Sequence, residues 1–163
     1  MPDIIVIAHN IRSIHNIGSI FRSAEGFGVS KLILSGYSPY PTISDDTRLP
    51  HLSAALSKKI NKTALGAESL VPYEYAQTPP LKELRDSGYV IVGLEQDTSS
   101  VPLSEYKPAH KIALLLGEEV EGISRDLVSQ CDVLVEIPMY GKKESYNVSV
   151  AAGIALYRLT SVT

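Results

Sequence analysis

Five apolar runs leave this chain few folds to adopt. They are DIIVIA (3–8), SKLILSG (30–36), YVIVGLE (89–95), KIALLLG (111–117) and DVLVEIP (132–138). None alternates apolar with polar residues, so none reads as a strand with one face in water. Continuous runs of this length suit strands buried on both faces, as in a parallel sheet covered by helices. A shorter strand is expected near 70–75. Between the strands the periodicity turns helical. NIGSIFRSAEGFG (16–28) places Ile17, Ile20, Phe21, Ala24 and Phe27 on one stripe, with Asn16 as the expected N-cap and Gly28 as the closing glycine. Further helices are expected at 51–61, 80–87, 120–130 and from about 146 to the end. Residues 37–50, with Pro39, Pro41 and Pro50, read as a long irregular loop. The fold class is therefore α/β, a mostly parallel sheet with helices on both faces, in one domain over 1–163.

Composition narrows the chemistry. A net charge of −3 supplies no general attraction for nucleic acid, although a local basic patch remains open. One cysteine, Cys131, permits no internal disulfide and suits a reducing, cytoplasmic setting. No apolar run has the length of a membrane span, and the start MPDIIVIAHN lacks a signal-peptide pattern.

In open α/β sheets ligands bind beyond the carboxyl ends of the strands. Several familiar loops fail there. Gly26 and Gly28 end a helix instead of opening one. Gly117 and Gly122 have phosphate-loop spacing, but Ile123 stands where the lysine belongs and Glu118, Glu119 and Glu121 would repel phosphate. His9, His15, His51 and His110 lack zinc-ligand spacing, so no metal is expected.

Three other segments stand beside core elements: NIGSIFRSAEGFGV (16–29), LLLGEEVEGIS (114–124) and IPMYGKKESYNVSVA (137–151). In this order and spacing they resemble the three motifs of the SpoU family of RNA ribose methyltransferases, within the SPOUT superfamily. KTALGAESLVPYEY (62–75) also looks like a segment of that family. The resemblance implies a C-terminal trefoil knot, S-adenosyl-L-methionine as cosubstrate without metal, tRNA or rRNA as substrate, and a homodimer. It also implies methyl transfer to a ribose 2′-hydroxyl. A knotted RNA-binding protein without methyl transfer is the alternative. An unrelated doubly wound enzyme acting on a small phosphorylated metabolite is a third reading. No appended RNA-binding domain is expected.

The resemblance carries roles onto single residues, and each has an ordinary reading beside it. Arg22 matches the catalytic arginine, and by itself would be a solvated side chain. Its neighbours Gly18, Ser19 and Gly26 suggest a helix side cleared for a partner or substrate. Asn16 matches the first motif's asparagine. Glu119 matches the acid of the second, and by itself would be a helix N-terminal charge. Ser145 and Asn147 match the Ser-x-Asn of the third, with Ser145 otherwise a helix N-cap. The cofactor is expected against Leu94, Gly117, Ile137, Met139, Ser145, Tyr146 and Asn147. Tyr146 stands where the family usually has leucine. Arg12, Arg22 and Lys142 are expected to meet RNA, within a wider set that includes Arg48, Lys58, Lys59, Lys62 and Lys143.

Overall fold

The computed structural model describes residues 1–161. The two last residues of the expected final helix, 162 and 163, lie outside the described residues. In chain order the elements are β1 (Asp3–His9), α1 (Ile14–Gly26), β2 (Lys31–Ser35), α2 (Pro50–Ala64), β3 (Tyr73–Ala76), α3 (Leu81–Asp86), β4 (Val90–Leu94), β5 (Val101–Pro102), β6 (Lys111–Leu116), α4 (Arg125–Gln130), β7 (Val133–Glu136) and α5 (Val148–Thr160). Seven strands form one sheet in the order β3-β2-β1-β6-β4-β7-β5. All six pairings are parallel.

The continuous apolar runs are buried on both sides, as a parallel sheet requires. Successive side chains of a strand point to opposite faces, and β1 divides accordingly. Ile4, Val6 and Ala8 join Phe21 of α1, Ile60 of α2 and Leu156 of α5 in one core. Ile5 and Ile7 join Leu81 of α3 and Leu127 of α4 in the other. The pairing of β1 with β6 sets Ile4 against Ile112 and Ala8 against Leu116. It therefore brings two loops separated by about a hundred residues of chain to one edge.

Several local expectations shift. Ser13, not Asn16, caps α1, and its hydroxyl accepts the Asn16 N–H at 3.2 Å. That frees the Asn16 side chain for other partners. Gly28 does close the turn after α1, at φ +66°. The helix expected at 120–130 begins only at Arg125, capped by Ser124, because 118–122 folds into a tight loop instead. The cap of α5 is Asn147 and not Ser145. Residues 67–69 form a short 3₁₀ turn.

Gly18 serves the interior instead of an outside partner. It is buried, and a Cβ there would overlap the Ile60 carbonyl and the Thr63 side chain of α2. The glycine lets α1 and α2 cross closely. The loop 37–49 is likewise held from within. Arg48 pairs with Asp46 at 2.5 Å, donates to the Tyr40 and Pro41 carbonyls, and lies 3.7 Å over the Tyr40 ring. Arg48 is spent on this loop, which removes it from the expected RNA-facing set.

Candidate functional site

At the carboxyl edge, the loops after β4, β6 and β7 enclose a cleft. Leu94, Gly117, Ile137, Ser145 and Tyr146, all among the residues expected against the cofactor, line it. Met139 and Asn147 are not in its lining. Met139 lies two residues past Ile137, in the loop that leads to α5. Asn147 is drawn away by its capping role. Glu95, Gln96, Glu136 and Val148 also line the cleft and were missed. The rule that ligands gather at strand ends could have found Glu95, Gln96 and Glu136, each at or just past the end of β4 or β7.

The loop after β6 owes its shape to glycine and to two inward carboxylates. Glu118 N–H donates to the Gly122 carbonyl at 3.2 Å, and Gly122 N–H returns to Glu118 at 2.9 Å. Gly122 sits at φ +69°, where an L side chain would be strained. A Cβ on Gly117 would overlap the Gly122–Ile123 peptide. The Glu118 carboxylate turns back to accept the Val120 and Glu121 N–H groups. Glu95 accepts the Ile123 N–H at 2.6 Å, tying the β4 end to the same loop.

Glu119 reaches across to the start of α1. Its carboxylate accepts the Arg12 N–H at 3.1 Å, the Ser13 N–H at 3.2 Å and the Asn16 side-chain amide at 3.2 Å. Burial pushes this carboxyl up, but the backbone donors of Arg12 and Ser13 outweigh it and hold it below the ordinary glutamate range. The Asn16 carbonyl oxygen accepts from the Asn147 amide at 3.1 Å. Asn147 in turn caps α5 by accepting the Ser149 N–H at 2.9 Å. One residue from each of the three motif segments thus joins a single hydrogen-bonded chain.

Arg22 is not part of that chain. Six residues beyond Asn16, it stands about 9 Å further along α1 and on a different side of the helix. It is exposed, and with Ser19, Ser23, Lys62 and Thr63 it lines a second, shallow cleft between α1 and α2. Lys62 therefore joins the expected RNA-facing residues in space, brought there by the close crossing at Gly18. Arg12 stays near the first cleft. Its guanidinium lies 3.3 Å from Glu118 Oε1 without hydrogen-bond alignment, and its side chain is 70% exposed. Lys142 and Lys143 lie on the exposed loop before α5.

The first cleft suits a ligand that is both cationic and apolar. Glu95, Glu118, Glu119, Glu121 and Glu136 line it with no lysine or arginine, beside Leu94, Leu116 and Ile137. Among the described residues no three His, Cys, Asp or Glu side chains form a metal-ligating group, and no helix is long and apolar enough to cross a membrane.

Comparison with known proteins follows the same segments. A model of the SpoU rRNA Methylase family matches residues 3–157. The 23S rRNA (guanosine-2'-O-)-methyltransferase RlmB of Neisseria meningitidis is 33% identical over 159 residues, covering 95% of this chain and 57% of that protein. The tRNA (guanosine(18)-2'-O)-methyltransferase TARBP1 of Mus musculus is 31% identical over 157 residues, 96% of this chain and 9% of that protein. The chain thus spans about half the length of the bacterial relative and a small part of the mouse one. Among solved structures, the TrmH/SpoU tRNA modifying enzyme of A. aeolicus matches with a TM-score of 0.80 at 28% identity, over 98% of this chain and 75% of that one. The SpoU methyltransferase AviRb of Streptomyces viridochromogenes, solved in complex with the cofactor AdoMet, matches with a TM-score of 0.77 at 26% identity, over 97% and 59%. The matched span contains all three segments that meet beside the cleft, and the chain belongs to the SpoU rRNA methylase family.

Proposed function

We propose that this chain is an RNA 2′-O-ribose methyltransferase that uses S-adenosylmethionine and acts on tRNA or rRNA. The observation that carries the reading is the chain Glu119–Asn16–Asn147 beside an acid-lined cleft. The cofactor supplies an activated methyl group on a cationic sulfur. The protein's residues hold it, aim the ribose oxygen and stabilise charge on that oxygen as its proton leaves. Alignment of this kind contributes several kcal/mol. The Glu119 carboxylate is committed to Arg12, Ser13 and Asn16. It therefore positions the motif-1 turn and does not touch substrate. Ser145 and Tyr146 form the rim over the cofactor. Arg22 is the residue for the developing alkoxide. A guanidinium is a poor base, since its pKa exceeds about 12.

Arg22 stands apart from its own chain's cofactor cleft, which supports a homodimer in which one subunit's Arg22 serves the partner's cleft. The last helix supports the same reading, with Val150, Ile154 and Tyr157 exposed at i, i+4 and i+7. A trefoil knot in the C-terminal third, with Arg12, Arg22, Lys62 and Lys142 guiding the RNA backbone, completes the proposal. The proposed compartment is the cytoplasm, in keeping with the single free Cys131. The test is transfer of a labelled methyl group to bulk RNA. Wild type transfers label, and Arg22→Ala does not, while cofactor affinity by calorimetry and melting temperature stay unchanged. An active Arg22→Ala enzyme removes that residue from the role. A folded wild type with no heat of cofactor binding sinks the whole reading.

A further inference from the structure

The loops after β1 and β2 meet beside the motif-1 turn and are stitched into one body. Asn10 N–H donates to the Ser35 carbonyl at 3.1 Å. Ile11 N–H donates to Ser38 Oγ at 2.9 Å, and that buried hydroxyl donates to the Ala8 carbonyl at 2.8 Å. Asn10 is held at φ +55°, and its side-chain oxygen accepts the Tyr37 N–H at 3.1 Å. Gly36, at φ +64°, leaves the room for that oxygen, since a Cβ there would overlap the Asn10 amide. A non-glycine residue in the left-handed region persists only where its surroundings over-determine it. Here those surroundings fix the backbone of Tyr37, and the residue is 53% exposed. The Arg12 guanidinium lies 5.9 Å from the centre of that ring. Arg12 also donates its backbone N–H to Glu119, so the ring stands one residue away from the hydrogen-bonded chain of the three motifs.

Two tyrosines on the same side of the sheet are already engaged with each other. Tyr40 and Tyr75 stack on each other at 4.1 Å, and Arg48 covers Tyr40. Tyr37 is the one exposed residue of the three, and a single cation, Arg12, stands over its ring. Unstacked RNA bases are recognised on aromatic rings, with nearby cations on the backbone. A chain with net charge −3 also has weak long-range hold on RNA, and stacking does not depend on salt.

We propose that Tyr37 is the stacking platform for a nucleobase at or next to the methylated nucleotide, with Arg12 on the adjoining phosphate. The assignment rests on the RNA methyltransferase reading above and adds a specificity-determining residue to it.

The chain contains no tryptophan, so Tyr37→Trp introduces a single indole as a reporter. Titrated at low salt with a mixed-sequence single-stranded RNA, its emission is quenched. An abasic strand of the same length leaves it unquenched. Leu70→Trp, exposed on a different loop, responds to neither. In methyl-transfer assays Tyr37→Ala raises KM for RNA about ten-fold or more with unchanged cofactor affinity, and Tyr37→Phe restores it. No quenching, equal quenching by the abasic strand, emission that follows protein dilution instead of RNA, or a Tyr37→Ala enzyme with wild-type KM each overturns the platform. Absence of methyl transfer by wild type overturns the enzyme reading instead, and the fluorescence titration still judges Tyr37.

Discussion

Both oxygens of Glu119 are occupied by donors from the motif-1 turn, two of them backbone N–H groups. Removing the charge weakens all three bonds together. Hydrogen bonds to a charged group contribute about 1.5–3 kcal/mol each at most, and these are only partly buried. Glu119→Gln is therefore expected to lower stability by about 1–2 kcal/mol and to lower kcat more than cofactor affinity. Chemical denaturation and single-turnover assays check both. The pH dependence has a definite sign. A carboxyl lowered by folding adds stability that is present above its unfolded pKa and is lost as pH falls through the folded one. The window lies below the ordinary glutamate value of 4.5. The stability difference between wild type and Glu119→Gln is thus constant near neutrality and shrinks on acidification below that value. A difference that grows on acidification would refute the hydrogen-bonding account.

Two glycines of α1 make opposite predictions because only one of them meets a neighbouring element. Gly18 meets the backbone of α2, where a methyl group has no room, whereas Gly26 has nothing within 4 Å. Gly18→Ala pushes α1 off α2 and is expected to cost about 1–3 kcal/mol, as overpacking does. It also widens the cleft shared by Arg22 and Lys62. Gly26→Ala gains helix propensity and is expected to be neutral or stabilising by up to about 1 kcal/mol. Paired thermal melts separate the two. Equal destabilisation by both would show that the α1–α2 crossing has slack. The same crossing explains why the helix side that reads as cleared for a partner is half internal: Gly18 faces the chain's own α2, and only Ser19, Arg22 and Gly26 face outward.

At the scale of the whole molecule, two predictions concern association. The exposed stripe Val150, Ile154 and Tyr157 on α5 is the surface that the proposed dimer would cover. Sedimentation equilibrium is expected to show a dimer at micromolar concentration, and Ile154→Asp a monomer that still binds cofactor but transfers no methyl group. A monomeric wild type would refute the shared site. RNA affinity is the second. With Arg48 withdrawn into its loop, about four cations remain near the two clefts. A slope of about −0.7 per contact then predicts a shallow dependence, near −3, of log affinity on log salt for single-stranded RNA. A much steeper slope would mean that a larger basic surface forms on assembly.

Local pattern alone determined the strand runs and the parallel class, and the resemblance carried by the three motifs pointed to five residues of the cleft wall, Leu94, Gly117, Ile137, Ser145 and Tyr146. Apolar runs and Ser-x-Asn or Gly-x-Glu spacing are properties of neighbouring residues, and burial on both faces follows from them directly. Loop geometry did not follow, because a residue's partner there depends on which strands lie side by side. Glu119 and Asn16 are 103 residues apart in the chain, and Asn147 and Asn16 are 131 apart. They touch because β1 pairs with β6 and α5 returns against α1. The pairing of β1 with β2 likewise sets Tyr37 in place through a left-handed Asn10, whereas the Ser13 and Asn147 caps and the Arg48 contacts form within their own loops. Glu119, Asn16 and Tyr37 each had several local options of similar energy. Only the packed sheet, by bringing distant carboxyl ends to one edge, selected among them.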